Sequence, residues 1–143
     1  MMIIRMEYQL YDDIVEYAAK HLPEEACGLI AGEENEEGRE IKKVYFLENK
    51  DHSSEHFTLD PADQMAAIKD ARALGYKVFG NWHSHPESPS RPSEEDIKLA
   101  YDSKSSYLIL SLMAKYPVLN SFHIEGKEVT KEDLRIYSEE YYY

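Results

Sequence analysis

The chain has 143 residues, of which 43% are hydrophobic and 31% are charged. This length is typical of one compact domain with its own core, so we expect a single domain over residues 1–143. Asp and Glu outnumber Lys and Arg by 28 to 16, which leaves a formal net charge of −12. Nucleic acids and anionic membranes are recognised by clustered cations, so neither is an expected partner.

The sequence also indicates the cellular compartment. Its single cysteine allows no internal disulfide, which suits a reducing environment. It has no signal-peptide pattern and no apolar run near the roughly 20 residues that a membrane span needs. We therefore expect a cytoplasmic protein.

The first third of the chain combines a helical pattern with two extended ones. Apolar residues at helical spacing predict an amphipathic helix over residues 8–21. The short apolar run 26–32 is bounded by glycine and predicts a buried strand. An acidic turn over 33–40 then leads to a second strand, Ile41–Leu47.

The middle of the chain predicts a loop followed by a second helix. Residues 48–56 are polar, and 57–59 form a short extended piece. Asp60 is a good N-cap and Pro61 suits the first helical position, while Gly75 is a C-terminal stop. The expected apolar face comprises Met65, Ile68, Ala71 and Leu74.

The third predicted strand, 76–82, is followed by the turn-rich segment 86–92 and by a helix expected from Ser93 to about Tyr101. Residues 107–113 are nearly all apolar, as in a central strand that is buried on both faces.

The end of the chain predicts a hairpin. Its strands are 118–125 and 127–129, with the turn at Gly126. Residues 130–136 fit either a further strand or a helix cap. This mixture of strands and helices predicts an α/β fold, with a sheet covered by helices.

Two histidines mark the region with the clearest chemistry. His83 and His85 are one residue apart at the end of a predicted strand, so their side chains share one face. Ser93 and Asp96 lie three apart at a predicted helix start, where the helix dipole favours an ionised carboxylate. Two imidazoles and one carboxylate, with a fourth position left to water, are typical of a catalytic zinc site.

Simpler interpretations exist for each half of this pattern. Ser93 and Asp96 fit an ordinary helix cap, and His83 and His85 fit two surface histidines. Capping and metal binding are compatible for Asp96, because one carboxylate oxygen can ligate while the other accepts a backbone N–H.

A hydrolytic site also needs a general base. Glu24 and Glu25 precede a buried strand without a neighbouring cation, which favours a raised pKa. Spacing alone does not choose between these two residues.

Three segments together resemble the JAMM/MPN+ metalloproteases. Trp82–Pro86 reads Trp-His-Ser-His-Pro, six residues separate it from Ser93, and two more separate Ser93 from Asp96. Upstream, Glu25–Gly28 reads Glu-Ala-Cys-Gly and matches the other half of the family signature, which selects Glu25 over Glu24. The stretch 57–61 resembles the segment before the family's middle helix. The resemblance covers roughly residues 5–125, and 126–143 would be a C-terminal extension.

The resemblance implies a curved mixed sheet sandwiched by helices, akin to cytidine deaminases. His83, His85 and Asp96 would bind one zinc ion per chain. Glu25 would act as general base and then protonate the leaving amine, and Ser93 would donate to the oxyanion. Ser84 and Cys27 would have structural roles, and Gly28 would allow a close backbone approach.

The implied substrates are ubiquitin-like or sulfur-carrier proteins, cleaved after a C-terminal Gly-Gly. The leaving group could be cysteine, a peptide or a lysine. A catalytically silent scaffold of the same fold is an alternative, although every ligand is present. A zinc deaminase or other small-molecule hydrolase is another, but deaminases bring a Cys-x-x-Cys that this chain lacks. The three tyrosines 141–143 suggest either a disordered tail or a docking strip.

Overall fold

The computed structural model describes residues 2–138 and contains eight strands and three helices within that range. The tyrosines 141–143 lie outside the described residues. The helices are α1 (Tyr8–Lys20), α2 (Pro61–Ala73) and α3 (Glu94–Lys98). The strands are β1 (Ile3–Glu7), β2 (Cys27–Glu34), β3 (Gly38–Leu47), β4 (Lys77–His85), β5 (Ser106–Ser111), β6 (Val118–Glu125), β7 (Glu128–Lys131) and β8 (Asp133–Tyr137).

All eight strands form one mixed sheet in the order β7-β6-β5-β4-β2-β3-β1-β8. The pairs β4–β5, β1–β3 and β1–β8 are parallel, and the other neighbours are antiparallel. The expected mixed α/β fold with a curved sheet is therefore confirmed.

The chain itself nearly closes this sheet. Strands β7 and β8 lie at opposite ends of the strand order, yet only Glu132 separates them along the sequence. The backbone N–H of Glu132 donates to the carbonyl of Ser121 at 2.8 Å, and the Ser121 hydroxyl donates to the Glu132 carboxylate at 2.7 Å. Both side chains are buried, so these bonds satisfy groups that would otherwise be costly at the seam.

The first two helices cover opposite faces of the sheet. On β3, Val44 belongs to the main core together with Ile14 of α1. The next residue, Tyr45, points the other way, and its hydroxyl donates to Asp70 of α2 at 2.7 Å. The main core between α1 and the sheet is centred on the fully buried Trp82 of β4. Within residues 2–138, no helix combines the length and apolar character that crossing a bilayer requires.

Several predicted elements match the structure closely. Helix α1, the hairpin that turns at Gly126, and the Asp60 cap of α2 are all present, and the Asp60 side chain accepts from the N–H of Asp63. Strand β5 is buried along its whole length, as expected of a central strand. The segment after residue 130 is a strand and not a helix.

Other expectations were wrong. Strand β1 was not predicted, and β3 begins at Gly38, inside the expected acidic turn. Helix α3 ends at Lys98 instead of near residue 101. On α2 the expected Ala71 is buried, together with Ala67, whereas the expected Met65 and Leu74 are exposed. Small side chains allow a helix to pack closely on a sheet. The periodicity of large apolar residues in the sequence does not reveal that alanines form the buried face.

Candidate active site

Strand β4 carries both histidines and continues past its predicted end. Its pairing with β5 extends to His85 opposite Ser111, and the N–H of Ser84 donates to the carbonyl of Ala26 at 2.9 Å. Because side chains alternate along a strand, His83 and His85 point to the same side of the sheet. Both residues are 3% exposed, so neither is a surface histidine.

Asp96 approaches the two histidines from the first turn of α3. Its Oδ2 atom lies 3.1 Å from Nε2 of His83 and 3.1 Å from Nε2 of His85, and the two Nε2 atoms are 3.0 Å apart. Ligands bound at about 2.0–2.1 Å around a tetrahedral zinc ion lie roughly 3.3 Å from one another. The three atoms are therefore spaced nearly as one ion would require.

Hydrogen bonding decides which ring nitrogen of His85 faces this point. Its Nδ1 lies 2.8 Å from the carbonyl of Pro89, which can only accept, so Nδ1 carries the proton. In the neutral imidazole Nε2 of His85 is then an acceptor, and it faces the acceptor oxygen of Asp96. Lone pairs that converge in this way require a proton or a cation between them.

The pKa shifts of the three groups show how strongly they influence one another. Burial would raise the pKa of Asp96, but the adjacent imidazoles of His83 and His85 and the N–H of Ser93 hold it well below its ordinary value. Burial lowers the pKa of His83 despite the opposing influence of Asp96. Burial also acts to lower the pKa of His85, but Asp96 and Pro89 outweigh it and raise the net value. The ionised carboxylate of Asp96 therefore lies beside the neutral imidazole of His83.

Ser93 and Asp96 also form the expected helix cap. The Ser93 hydroxyl accepts from the N–H of Asp96 at 3.0 Å, and the Ser93 N–H donates to Oδ2 of Asp96 at 2.9 Å. One expected detail was wrong, because the oxygen that accepts the backbone N–H is the same Oδ2 that faces the histidines. The Ser93 hydroxyl hydrogen is not used by the cap and can donate to another group.

Glu25 is buried at the mouth of β2. It is 5% exposed, and its Oε1 has no hydrogen-bond partner. Burial raises the pKa of Glu25 from 4.5 to about 8; His85 opposes this shift, and Asp96 adds to it. The backbone around it is held by Asn49, whose side chain donates to the Glu25 carbonyl at 3.0 Å. Glu24 instead lies near the surface, 3.4 Å from His52.

The residues expected to support the site have identifiable contacts. The Ser84 hydroxyl accepts from the N–H of Ala26 at 2.8 Å, which ties β4 to the segment that carries Glu25. Cys27 is fully buried, and burial raises its pKa to about 12, so it is not a thiolate nucleophile. At Gly28, a Cβ atom would lie 1.7 Å from the carbonyl oxygen of Tyr45, so only glycine fits there.

An open cleft of about 660 Å³ leads to this cluster. Glu25, His85 and Ser93 line it, together with an acidic rim that includes Glu55, Glu87, Glu94 and Glu95. His56 joins the loop before α2 to α3, because its Nδ1 lies 3.2 Å from the carboxylate of Glu95.

Three supporting residues were missed from the sequence. Phe57 stacks on the His83 ring at 4.6 Å between centroids, Pro89 sets the tautomer of His85, and Asn49 braces Glu25. Their roles depend on contacts between segments that are distant along the chain. A lone asparagine between Glu48 and Lys50 gave no signal.

Comparison with known proteins agrees with this geometry. A model describing prokaryotic homologs of the JAB domain, Prok-JAB, matches residues 7–125. The chain belongs to the Prok-JAB family. The matched range contains His83, His85 and Asp96, together with Glu25 and Ser93. The resemblance to JAMM/MPN+ proteins is thereby confirmed.

Relatives of this Prok-JAB protein include named enzymes. CysO-cysteine peptidase of Mycobacterium tuberculosis is 28% identical over 140 residues, covering 95% of this chain and 91% of that protein. Desampylase of Pyrococcus furiosus is 34% identical over 74 residues, about half of each chain. A solution structure of a protein from Desulfitobacterium hafniense is 42% identical, with a TM-score of 0.88 over 95% of this chain and 94% of that one. The Prok-JAB protein is therefore a hydrolase of the JAMM type.

Proposed function

We propose that this protein is a zinc-dependent peptidase that hydrolyses the peptide or isopeptide bond after the C-terminal Gly-Gly of a ubiquitin-like or sulfur-carrier protein. The observation that carries the proposal is the convergence of His83, His85 and Asp96 on one point beside the buried carboxyl of Glu25. The names of the relatives, a CysO-cysteine peptidase and a desampylase, support this class of substrate.

The donor set fits zinc. Two imidazole nitrogens and one carboxylate oxygen are ligands that zinc accepts, and the three offer one atom each within 4.8 Å of one another. Only three protein ligands meet here among the described residues, which leaves a position for water. When bound at such a site, zinc makes water far more acidic and polarises a carbonyl group.

Glu25 is assigned the proton transfers. Its raised pKa of about 8 and its unpartnered Oε1 suit a group that takes a proton from the attacking water and later gives it to the leaving amine. The hydroxyl of Ser93, which keeps its hydrogen free, would donate to the oxygen that becomes negatively charged during attack. Both residues line the same cleft as His85, so one substrate can meet all three.

We also propose the extent of the catalytic domain and its cellular location. One domain over residues 1–143 would carry the whole activity, with the segment after residue 126 completing the sheet through β7 and β8. We propose the cytoplasm as its location, because the single cysteine allows no internal disulfide, which suits a reducing compartment.

The test uses two conjugates of one carrier protein that ends in Gly-Gly. In one the carrier is joined to cysteine, and in the other to a lysine side chain of a second protein. Each is incubated with the purified protein, with and without a chelator and with zinc added back, and product masses are measured. We expect a free carrier ending at Gly-Gly, lost with the chelator and restored by zinc.

Each outcome discriminates between hypotheses. Release from only one conjugate identifies the leaving group. One zinc per chain without cleavage of either conjugate would indicate a silent scaffold of the same fold. Failure to retain zinc after gentle purification, with cleavage unaffected by the chelator, would refute the metal assignment.

A further inference from the structure

A second, much smaller cavity lies behind the candidate metal site. Its volume is about 40 Å³, and apolar side chains form most of its wall. Three polar residues also line it: Asn81, His83 and Asp96. Two polar atoms of these residues, Oδ1 of Asn81 and Nδ1 of His83, are buried without a hydrogen-bond partner.

Strand geometry places these two residues together. Asn81 and His83 are two apart on β4, so their side chains project from the same face of the sheet. Asn81 pairs with Tyr107 of β5, and His83 pairs with Ile109; both of these β5 residues also line the cavity. Phe57 stacks on the His83 ring and also lines the cavity.

We propose that Asn81 is a positioning residue for the candidate metal site, acting on His83 through one buried water molecule. This inference rests on the proposed zinc function. The water would accept a hydrogen bond from Nδ1–H of His83 and donate one to Oδ1 of Asn81. His83 is then held in the tautomer whose Nε2 lone pair faces His85 and Asp96.

Size and chemistry both favour this arrangement. A buried water needs roughly 10–15 Å³ of accessible space and at least two polar partners, and this cavity supplies both. Leaving either polar atom bare in an apolar wall would be costly. Histidines that ligate metals nearly always donate their other ring N–H to a fixed acceptor. Pro89 is that acceptor for His85, and Asn81 would hold the equivalent position for His83 through the water.

The decisive variant is Asn81→Leu, which keeps the branched shape and removes the acceptor. We expect zinc affinity, measured by competition with a chromophoric chelator, to fall about 10- to 100-fold. Nitrogen-15 spectra of the metal-free protein should show a smaller fraction of the Nδ1–H tautomer of His83. The melting temperature of the metal-free variant should fall, because the water that binds Nδ1–H of His83 loses its acceptor.

Two further variants separate positioning from packing. Asn81→Asp keeps an acceptor oxygen and should retain most of the zinc affinity. Tyr107→Phe alters the same cavity wall but removes only a hydroxyl bonded to the carbonyl of Asp102, so it should lower the melting temperature and leave zinc affinity unchanged.

The contradicting results are equally specific. If Asn81→Leu binds zinc as tightly as the parent chain and its His83 ring spectrum is unchanged, Asn81 does not position His83. If Tyr107→Phe weakens zinc binding to the same degree, the effect comes from packing and the proposal is wrong. If the parent chain binds no zinc, the proposed function fails, and the tautomer measurement on the metal-free protein still decides the role of Asn81.

Discussion

Replacing Glu25 with glutamine should abolish hydrolysis and at the same time stabilise the metal-free protein. Glutamine has nearly the shape of glutamate but has no carboxyl proton to exchange and cannot ionise. The assigned proton transfers therefore stop, whereas His83, His85 and Asp96 remain to bind zinc. The gain in stability follows because Glu25 is an ionisable group in an environment that disfavours its charged form.

The size of the gain follows from the two pKa values of Glu25. The pKa of the Glu25 carboxyl rises from 4.5 to about 8 on folding, so the folded state binds the proton more tightly than the unfolded state does. Its contribution to the free energy of unfolding is complete below pH 4.5 and is lost as the pH rises to about 8. Each pH unit in this window costs roughly 1.4 kcal/mol, so about 3 kcal/mol is already lost at pH 7. Glutamine avoids this loss.

Urea denaturation in the presence of a chelator measures this difference at pH 5 and at pH 7. We expect Glu25→Gln to be more stable than the parent chain by about 3 kcal/mol at pH 7 and by much less at pH 5. The matched control is Glu24→Gln, one residue away and near the surface, which should change stability by less than about 0.5 kcal/mol and keep full activity. Equal stability of Glu25→Gln and the parent chain at both pH values would refute the argument from burial. Residual activity in Glu25→Gln with loss of activity in Glu24→Gln would transfer the role of base to Glu24.

Three further substitutions test the rest of the site. Asp96→Ala removes one of three candidate ligands. Loss of a residue that only supports a ligand weakens metal binding by up to about 100-fold, so loss of a ligand should weaken zinc binding by more than that. Unchanged zinc content by elemental analysis would contradict the assignment of Asp96. Ser93→Ala should cost about 1 kcal/mol of stability through the lost helix cap and lower kcat about 100-fold or more through the lost donor, with zinc retained; a stability loss with normal kcat would leave Ser93 as a cap alone. Ser84→Ala leaves the buried N–H of Ala26 without its partner and should cost about 1–3 kcal/mol in urea denaturation; a neutral effect would show that the link to the Glu25 segment is dispensable.

The arrangement of the candidate site was largely predictable from the sequence because its parts are local. His83 and His85 share a face through the twofold repeat of a strand, and Ser93 and Asp96 meet through one helical turn. Only the meeting of these two pieces needs the fold, and the family resemblance supplied that step. The use of a single Asp96 oxygen for both the cap and the cluster was not predictable, because it depends on the rotation of one side chain.

The fold was predictable where the pattern along the chain was strong. The buried β5, the capped start of α2 and the hairpin at Gly126 were each evident from a few neighbouring residues. Strand β1 was missed because five residues carry too little pattern and its pairing with β3 and β8 is entirely long-range.

What the sequence determined by itself was the set of reactive groups and the local segments that present them, since hydrogen-bonding and side-chain periodicity act over a few residues. What only the tertiary structure decided was the environment of those groups. Glu25 becomes a weaker acid because distant segments bury it. His83 is stacked on Phe57 beside a small cavity because β4, β5 and a loop meet there. Desolvation depends on all the atoms that surround a group, and most of those atoms come from segments far away in the chain.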